Sequence, residues 1–96
     1  MNDNEYETFK KLKEILVNHL SSKVFLKPKI LVIDNESIKR RLEEVFKYDI
    51  QEQSKYSDDV LFSMKNLEFK VFKICTNQEY LNLPDILKDN AEPIFN

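Results

Sequence analysis

Apolar side chains recur every three or four residues from Tyr6 through Phe9, Leu12, Ile15, Leu16 and Leu20, with Lys10, Lys11, Lys13 and Glu14 between them. On a helix of 3.6 residues per turn this spacing makes one apolar stripe. It predicts an amphipathic helix over residues 4–21, capped by Asp3 or Asn4 and ended at Ser21 and Ser22. The period then changes. Val24, Phe25 and Leu26, and after Pro28 the unbroken run Ile30, Leu31, Val32 and Ile33, read as strand; the second run is apolar on both faces, as a central strand requires. Asp34 or Asn35 caps a second helix over residues 36–48, whose Ile38, Leu42, Val45 and Phe46 fall at i, i+4, i+7 and i+8.

From Ile50 the pattern alternates, with Ile50, Glu52 and Ser54 set against Gln51, Gln53 and Lys55, followed by apolar stretches at 60–64 and 67–75 on either side of Lys65 and Asn66. A hairpin is the simplest reading, with Asn66 taking the positive φ that such a turn needs. The phase shift at Phe72 and Ile74 marks a β-bulge or a strand buried on both faces. Asn77 starts a short turn, Pro84 opens a last helical turn ending at Lys88, and residues 89–96 read as an irregular tail. Together these elements predict one α+β domain over residues 1–96. Two helices pack on one face of a three- to four-stranded mixed sheet that contains the C-terminal-half hairpin.

Composition removes whole classes of function. None of the 96 residues is glycine, where average usage is about 7%. Dinucleotide fingerprints, phosphate-binding loops and nucleophile elbows all need glycine for close backbone approach or a sharp turn. One cysteine, Cys75, and one histidine, His19, cannot build a thiolate or imidazole metal cage. No cofactor or metal is expected. The acidic start, Met1-Asn2-Asp3-Asn4-Glu5, has no basic n-region or apolar stretch, and no apolar run approaches a membrane span, so a soluble cytoplasmic protein is expected.

Net charge is −2, but it is unevenly distributed: residues 10–41 hold nine basic and three acidic side chains, while residues 1–9 carry −3 and residues 42–96 carry −5. A basic block of this kind attracts an acidic protein surface or nucleic acid. The candidate partner-binding residues are Lys10, Lys13, Lys39, Arg40 and Arg41.

Several stretches carry candidate chemistry. Residues 29–36, with Ile38, Arg41 and Leu42, resemble the opening strand and helix of a response-regulator receiver domain. That resemblance implies magnesium held by paired acids after the strand and a phospho-accepting aspartate at the end of a later strand. The chain departs from the pattern: Asn35 stands at the second acid, residues 69–76 contain no aspartate, and about 60 residues after Asp34 are too few for the remaining units of a doubly wound fold. Asp58 or Asp59 with Glu68-Phe69-Lys70 is similar to the catalytic element of PD-(D/E)xK nucleases, in which two carboxylates hold magnesium and a lysine acts on the attacking water. If Lys65-Asn66 is a two-residue turn, however, Asp59 falls opposite Phe72, and Glu68 is displaced by more than about 10 Å.

Lys65, Lys70 and Lys73, interleaved with Leu67, Phe69 and Phe72, have the mixed composition of single-strand stacking platforms, although the aromatics are also needed for the core. Residues 78–84 are similar to short clamp-binding peptides, with Tyr80 where the pentapeptide form has glutamine. His19 near a helix C-terminus and Cys75 in an apolar strand read as structural residues.

The expected function is therefore a small non-enzymatic protein-binding module, with the basic block facing an acidic partner. The Asn- and Lys-rich, glycine-free composition fits an AT-rich phage or mobile-element genome, and an inhibitor or regulator of a larger protein is one form such a module takes. The alternatives are a nucleic-acid-binding module using residues 10–41 and a minimal metal nuclease using Asp58, Asp59, Glu68 and Lys70.

Overall fold

The computed structural model describes residues 1–24, 27–57 and 71–96. Helix α1 spans Asp3–Ser21 and is capped one residue earlier than expected, by Asn2. The Asn2 side chain accepts from the Glu5 N–H at 2.8 Å, and Glu5 returns a carboxylate oxygen to the Asn2 N–H at 3.2 Å. This reciprocal pair satisfies two otherwise orphaned groups of the first turn. Phe9, Leu12, Leu16 and His19 form the buried stripe, whereas Tyr6 is 48% exposed.

Strand β1, Lys29–Val32, is central, with Ile30, Leu31 and Val32 all buried, as its apolar run predicts. Helix α2, Glu36–Val45, follows from Asn35, whose side chain caps the Ile38 N–H at 3.1 Å. It buries Ile38 and Leu42 and leaves Val45 partly exposed. The chain breaks helical geometry at Phe46 and starts again as α3, Lys47–Gln53. The alternation read as strand from Ile50 is thus a short helix. Ile50 and Gln53, three residues apart, turn to the same side, and Ile50 packs against the core while Gln53 is buried.

Strand β2, Phe72–Cys75, is followed by α4, Asn77–Leu81, and α5, Asp85–Asn90. The last strand, β3, is Glu92–Phe95. The sheet order is β2-β1-β3, and both pairings are parallel, with Lys29 opposite Phe72 and Glu92, and Val32 opposite Cys75 and Phe95. Parallel neighbours need a crossover rather than a tight turn. Here the link from β1 to β2 contains α2 and α3, and the link from β2 to β3 contains α4 and α5.

The mixture of α and β structure is as expected, but the described strands form a parallel sheet rather than a mixed one. The expected hairpin turn and most of its arms, like Phe25 and Leu26, lie outside the described residues. The expected irregular tail is also different. Leu87 and Ala91 bury against Ile30 and Val32, which brings Glu92 to Pro28, where its N–H donates to the Pro28 carbonyl at 2.7 Å. Residues 92–95 are then already aligned to extend the sheet.

Helices cover both faces, not one. Leu31 and Ile33 face Phe9, Leu12 and Leu16 of α1, Ile38 and Leu42 of α2, Phe46 and Phe72. Ile30 and Val32 face Cys75, Leu87 and Ala91, with Tyr80 and Leu83 packed alongside. Alternate residues of one strand thus feed two cores. Each fully buried leucine, such as Leu16 or Leu42, contributes about 1.5–3 kcal/mol of transfer free energy.

Candidate functional site

In open parallel sheets, ligands bind at the C-terminal ends of the strands, where neighbouring connections diverge. The order β2-β1-β3 puts that place beyond β1, at Asp34 and Asn35. Helices α2 and α4 start there because they follow β1 and β2, and α1 starts there because Asn35 Nδ2 donates to Glu5 Oε2 at 2.9 Å. Three helix N-termini therefore converge, each with unpaired N–H groups and partial positive charge that favour an anion.

The anions are supplied from within. Glu5 accepts from Asn35 and from the Asn2 N–H. Both oxygens of Asp34 accept from Asn77. Glu79 accepts from the Thr76 N–H at 3.0 Å, while Thr76 Oγ1 caps the Glu79 N–H at 3.2 Å. Each carboxyl is held below its ordinary pKa: Glu5 chiefly by the Asn35 amide, Asp34 chiefly by the Asn77 main-chain N–H, and Glu79 chiefly by the Thr76 main-chain N–H. The edge is polar, but its donors and acceptors are spent on joining elements. Two of these joints have a local signal, since Asn2-x-x-Glu5 and Thr76-x-x-Glu79 are capping boxes. The Asp34–Asn77 and Glu5–Asn35 bonds link residues 43 and 30 positions apart and have none.

The receiver-like features separate at this point. Asp34 does end the central strand, but its carboxylate is bound to Asn77, and β2 and β3 are followed by Thr76 and Asn96, neither an aspartate. Among the described residues no group of three or more His, Cys, Asp or Glu side chains is placed to hold a metal ion. Asp58, Asp59, Lys65, Leu67, Glu68, Phe69 and Lys70 lie outside the described residues. Phe72 is buried edge-on against Phe46, with ring centroids 5.4 Å apart, so this aromatic belongs to the core. Cys75 is buried, and burial pushes its thiol pKa up. His19 is buried with Nε2 3.2 Å from the Val71 carbonyl oxygen. In residues 78–84, Tyr80 stacks edge-on against Phe95, Leu83 is half-buried and Leu81 is exposed.

The five basic candidates divide between two flanks of α2 and the adjacent helix. Lys39 and Arg41 are two residues apart, roughly 200° around the helix. Lys39 is half-buried and pairs with Glu43 at 3.2 Å. Arg40 points outward and pairs with Glu36 at 3.6 Å. Arg41 leans the other way and lies over the Phe9 ring of α1, 5.9 Å from its centroid. Lys10 is 5.6 Å from the centroid of the Tyr6 ring. Lys13 lies four residues on from Phe9, on the α1 flank that Arg41 approaches. Among the described residues Lys10, Lys13 and Arg41 form no ion pair with a carboxylate.

The outward groups of both described sheet edges are partly closed. Val71 and Cys75 turn their carbonyls to β1, so Phe72 faces away from it, and the Phe72 N–H donates to Gln53 Oε1 at 3.1 Å. On β3, Glu92 and Asn96 donate to β1-side carbonyls, so Pro93 and Phe95 face outward, and Pro93 has no N–H. Proline on an edge strand obstructs strand addition. A cleft of about 160 Å³ beside β2 is lined by Glu43, Ile50, Gln53, Tyr56, Phe72 and Lys73 among others.

Comparison with known protein families, curated proteins and solved structures finds no match.

Proposed function

We propose that this protein is a small non-enzymatic, intracellular protein-binding module. It regulates or inhibits a larger partner by covering part of its surface, and it binds through α1 and α2. The observation that carries this reading is the grouping of Lys10 and Lys13 of α1 with Arg41 of α2 where the two helices meet, without a carboxylate ion-pair partner among the described residues. Several other charges are used internally: Lys29 pairs with Glu92, Lys39 with Glu43 and Lys88 with Asp85, while Glu5, Asp34 and Glu79 serve the helix starts. Cations without a carboxylate partner are available to select an acidic surface and speed its association.

Sheet-edge recognition is the less favourable route, because Gln53 and Pro93 occupy or delete outward N–H groups. The test is affinity capture from native lysate, with and without nuclease, using the full chain and a variant combining Lys10→Glu, Lys13→Glu and Arg41→Glu. A protein retained after nuclease and lost with the variant supports the reading. Binding abolished by nuclease would replace it with nucleic-acid binding by the same basic region, which follows the salt dependence of phosphate contacts.

A further inference from the structure

We infer that the groove between α1 and α2 takes an acidic amphipathic helix of about three turns. This inference deepens the protein-binding reading above and rests on it. Tyr6, Lys10, Lys13 and Val17 recur at spacings of four, three and four, so they form a single stripe along α1. The stripe spans 12 residues, Tyr6 to Val17, about 16 Å of helix from first to last. Its ends are apolar and accessible, with Tyr6 48% and Val17 39% exposed, and its middle is cationic.

The facing flank of α2 repeats the composition. Arg41 is followed four residues later by Val45, 43% exposed. The contact of Arg41 with the Phe9 ring shows that this flank meets α1. Two adjacent helices present ridges and a groove that accept a third helix. The pattern asks the occupant for carboxylates midway along its length and apolar side chains toward its ends.

A protein helix fits better than a nucleic acid. A phosphate backbone would engage the cations but leave Val17 and Val45 without apolar partners. Exposed Glu44, three residues beyond Arg41 on the same flank of α2, would repel a continuous line of phosphates, while a helix can set a cation or neutral residue opposite it.

The test titrates the isotope-labelled full chain with a synthetic helix-forming 16-residue peptide that carries leucines toward both ends and glutamates between. A glutamine-for-glutamate peptide, a serine-for-leucine peptide and a short DNA duplex at physiological salt serve as comparisons. Amide shifts should centre on Tyr6, Lys10, Lys13, Val17, Arg41 and Val45, and the peptide should gain helicity on binding. The combined Lys10→Glu, Lys13→Glu and Arg41→Glu variant should weaken binding about tenfold, with retained cooperative unfolding showing that it folds. Both altered peptides should bind more weakly than the parent.

Shifts centred on another surface, or none at millimolar peptide, would overturn the groove assignment, while the capture experiment decides the protein-binding reading separately. A duplex that shifts these same residues and binds more tightly than the peptide would overturn both.

Discussion

Both oxygens of the Asp34 carboxylate accept hydrogen bonds from Asn77, Oδ1 from the main-chain N–H at 2.9 Å and Oδ2 from the side-chain amide at 2.9 Å. The end of the central strand is thereby fastened to the first turn of α4. These bonds favour the ionised carboxylate and lower its pKa from 3.8, with the same direction at Glu5 and Glu79. A carboxyl whose pKa is lower in the folded state contributes stability that is complete above its unfolded value and is lost as pH falls through the folded value. The contribution of these three carboxyls should therefore be level down to about pH 5 and decline below about pH 4. Asp34→Asn should lower the melting temperature at neutral pH and do so less in acid, below the folded pKa, where the wild-type carboxyl is neutral as well. An equal penalty at both pH values would show that shape, not charge, holds the joint.

His19 joins the last turn of α1 to the residue before β2. Its ring is 1% exposed, and Nε2 lies 3.2 Å from the Val71 carbonyl oxygen. Because a carbonyl only accepts, Nε2 carries the hydrogen. The same carbonyl also accepts from the Lys29 N–H at 3.3 Å, so it keeps one donor when the ring is changed. His19→Phe should consequently cost about 1 kcal/mol or more, the Val71 bond being one of the ring's polar interactions. His19→Ala, which also opens a cavity, should cost about 2–4 kcal/mol. Urea unfolding of both variants separates the polar contribution from the volume contribution.

Gln53 is a buried polar side chain whose carbonyl oxygen accepts from the Phe72 N–H at 3.1 Å. Gln53→Leu keeps similar bulk and removes the acceptor, at an expected cost of about 1–3 kcal/mol if that N–H stays shielded from water. Hydrogen exchange at the Phe72 amide should accelerate more than at Lys73, which faces β1. Unchanged protection at Phe72 would show that another group holds that N–H.

The parts of this fold legible in the sequence are those whose signal is local. Phe9, Leu12 and Leu16 keep helical spacing for the length of α1, and the unbroken Ile30 to Ile33 run marks a strand buried on both faces. Helix α3 is not legible in the same way, because Ile50 and Gln53 fit an alternating reading as well as a helical one over so few residues. Its helical form follows from packing against the core after the break at Phe46. Strand β3 has no local signal either: Pro93 argues against a strand interior, and its partner, Lys29–Val32, is about 60 residues away. The candidate docking flank was legible only as charge. Sequence brings Lys39, Arg40 and Arg41 together, whereas the helix sends Lys39 to Glu43, Arg40 to Glu36 and Arg41 to Phe9.

Pro93 should act chiefly against self-association. It sits on β3 opposite Ile30 in the register, and its ring nitrogen faces the outer edge of the strand, where another residue would present an N–H. Pro93→Val restores that donor and adds a side chain suited to strands, so a second chain could pair with the edge. Stability of the monomer should change by less than about 1 kcal/mol, because no β1 hydrogen bond is lost. Sedimentation should then show a concentration-dependent dimer or larger species for Pro93→Val and a monomer for Pro93→Lys, which restores the same donor but places a charge on the edge. If Pro93→Val stays monomeric at every concentration, the proline is not what obstructs pairing along this edge. If the lysine variant associates as strongly as the valine one, the restored N–H alone drives pairing and the side chain has no part in preventing it.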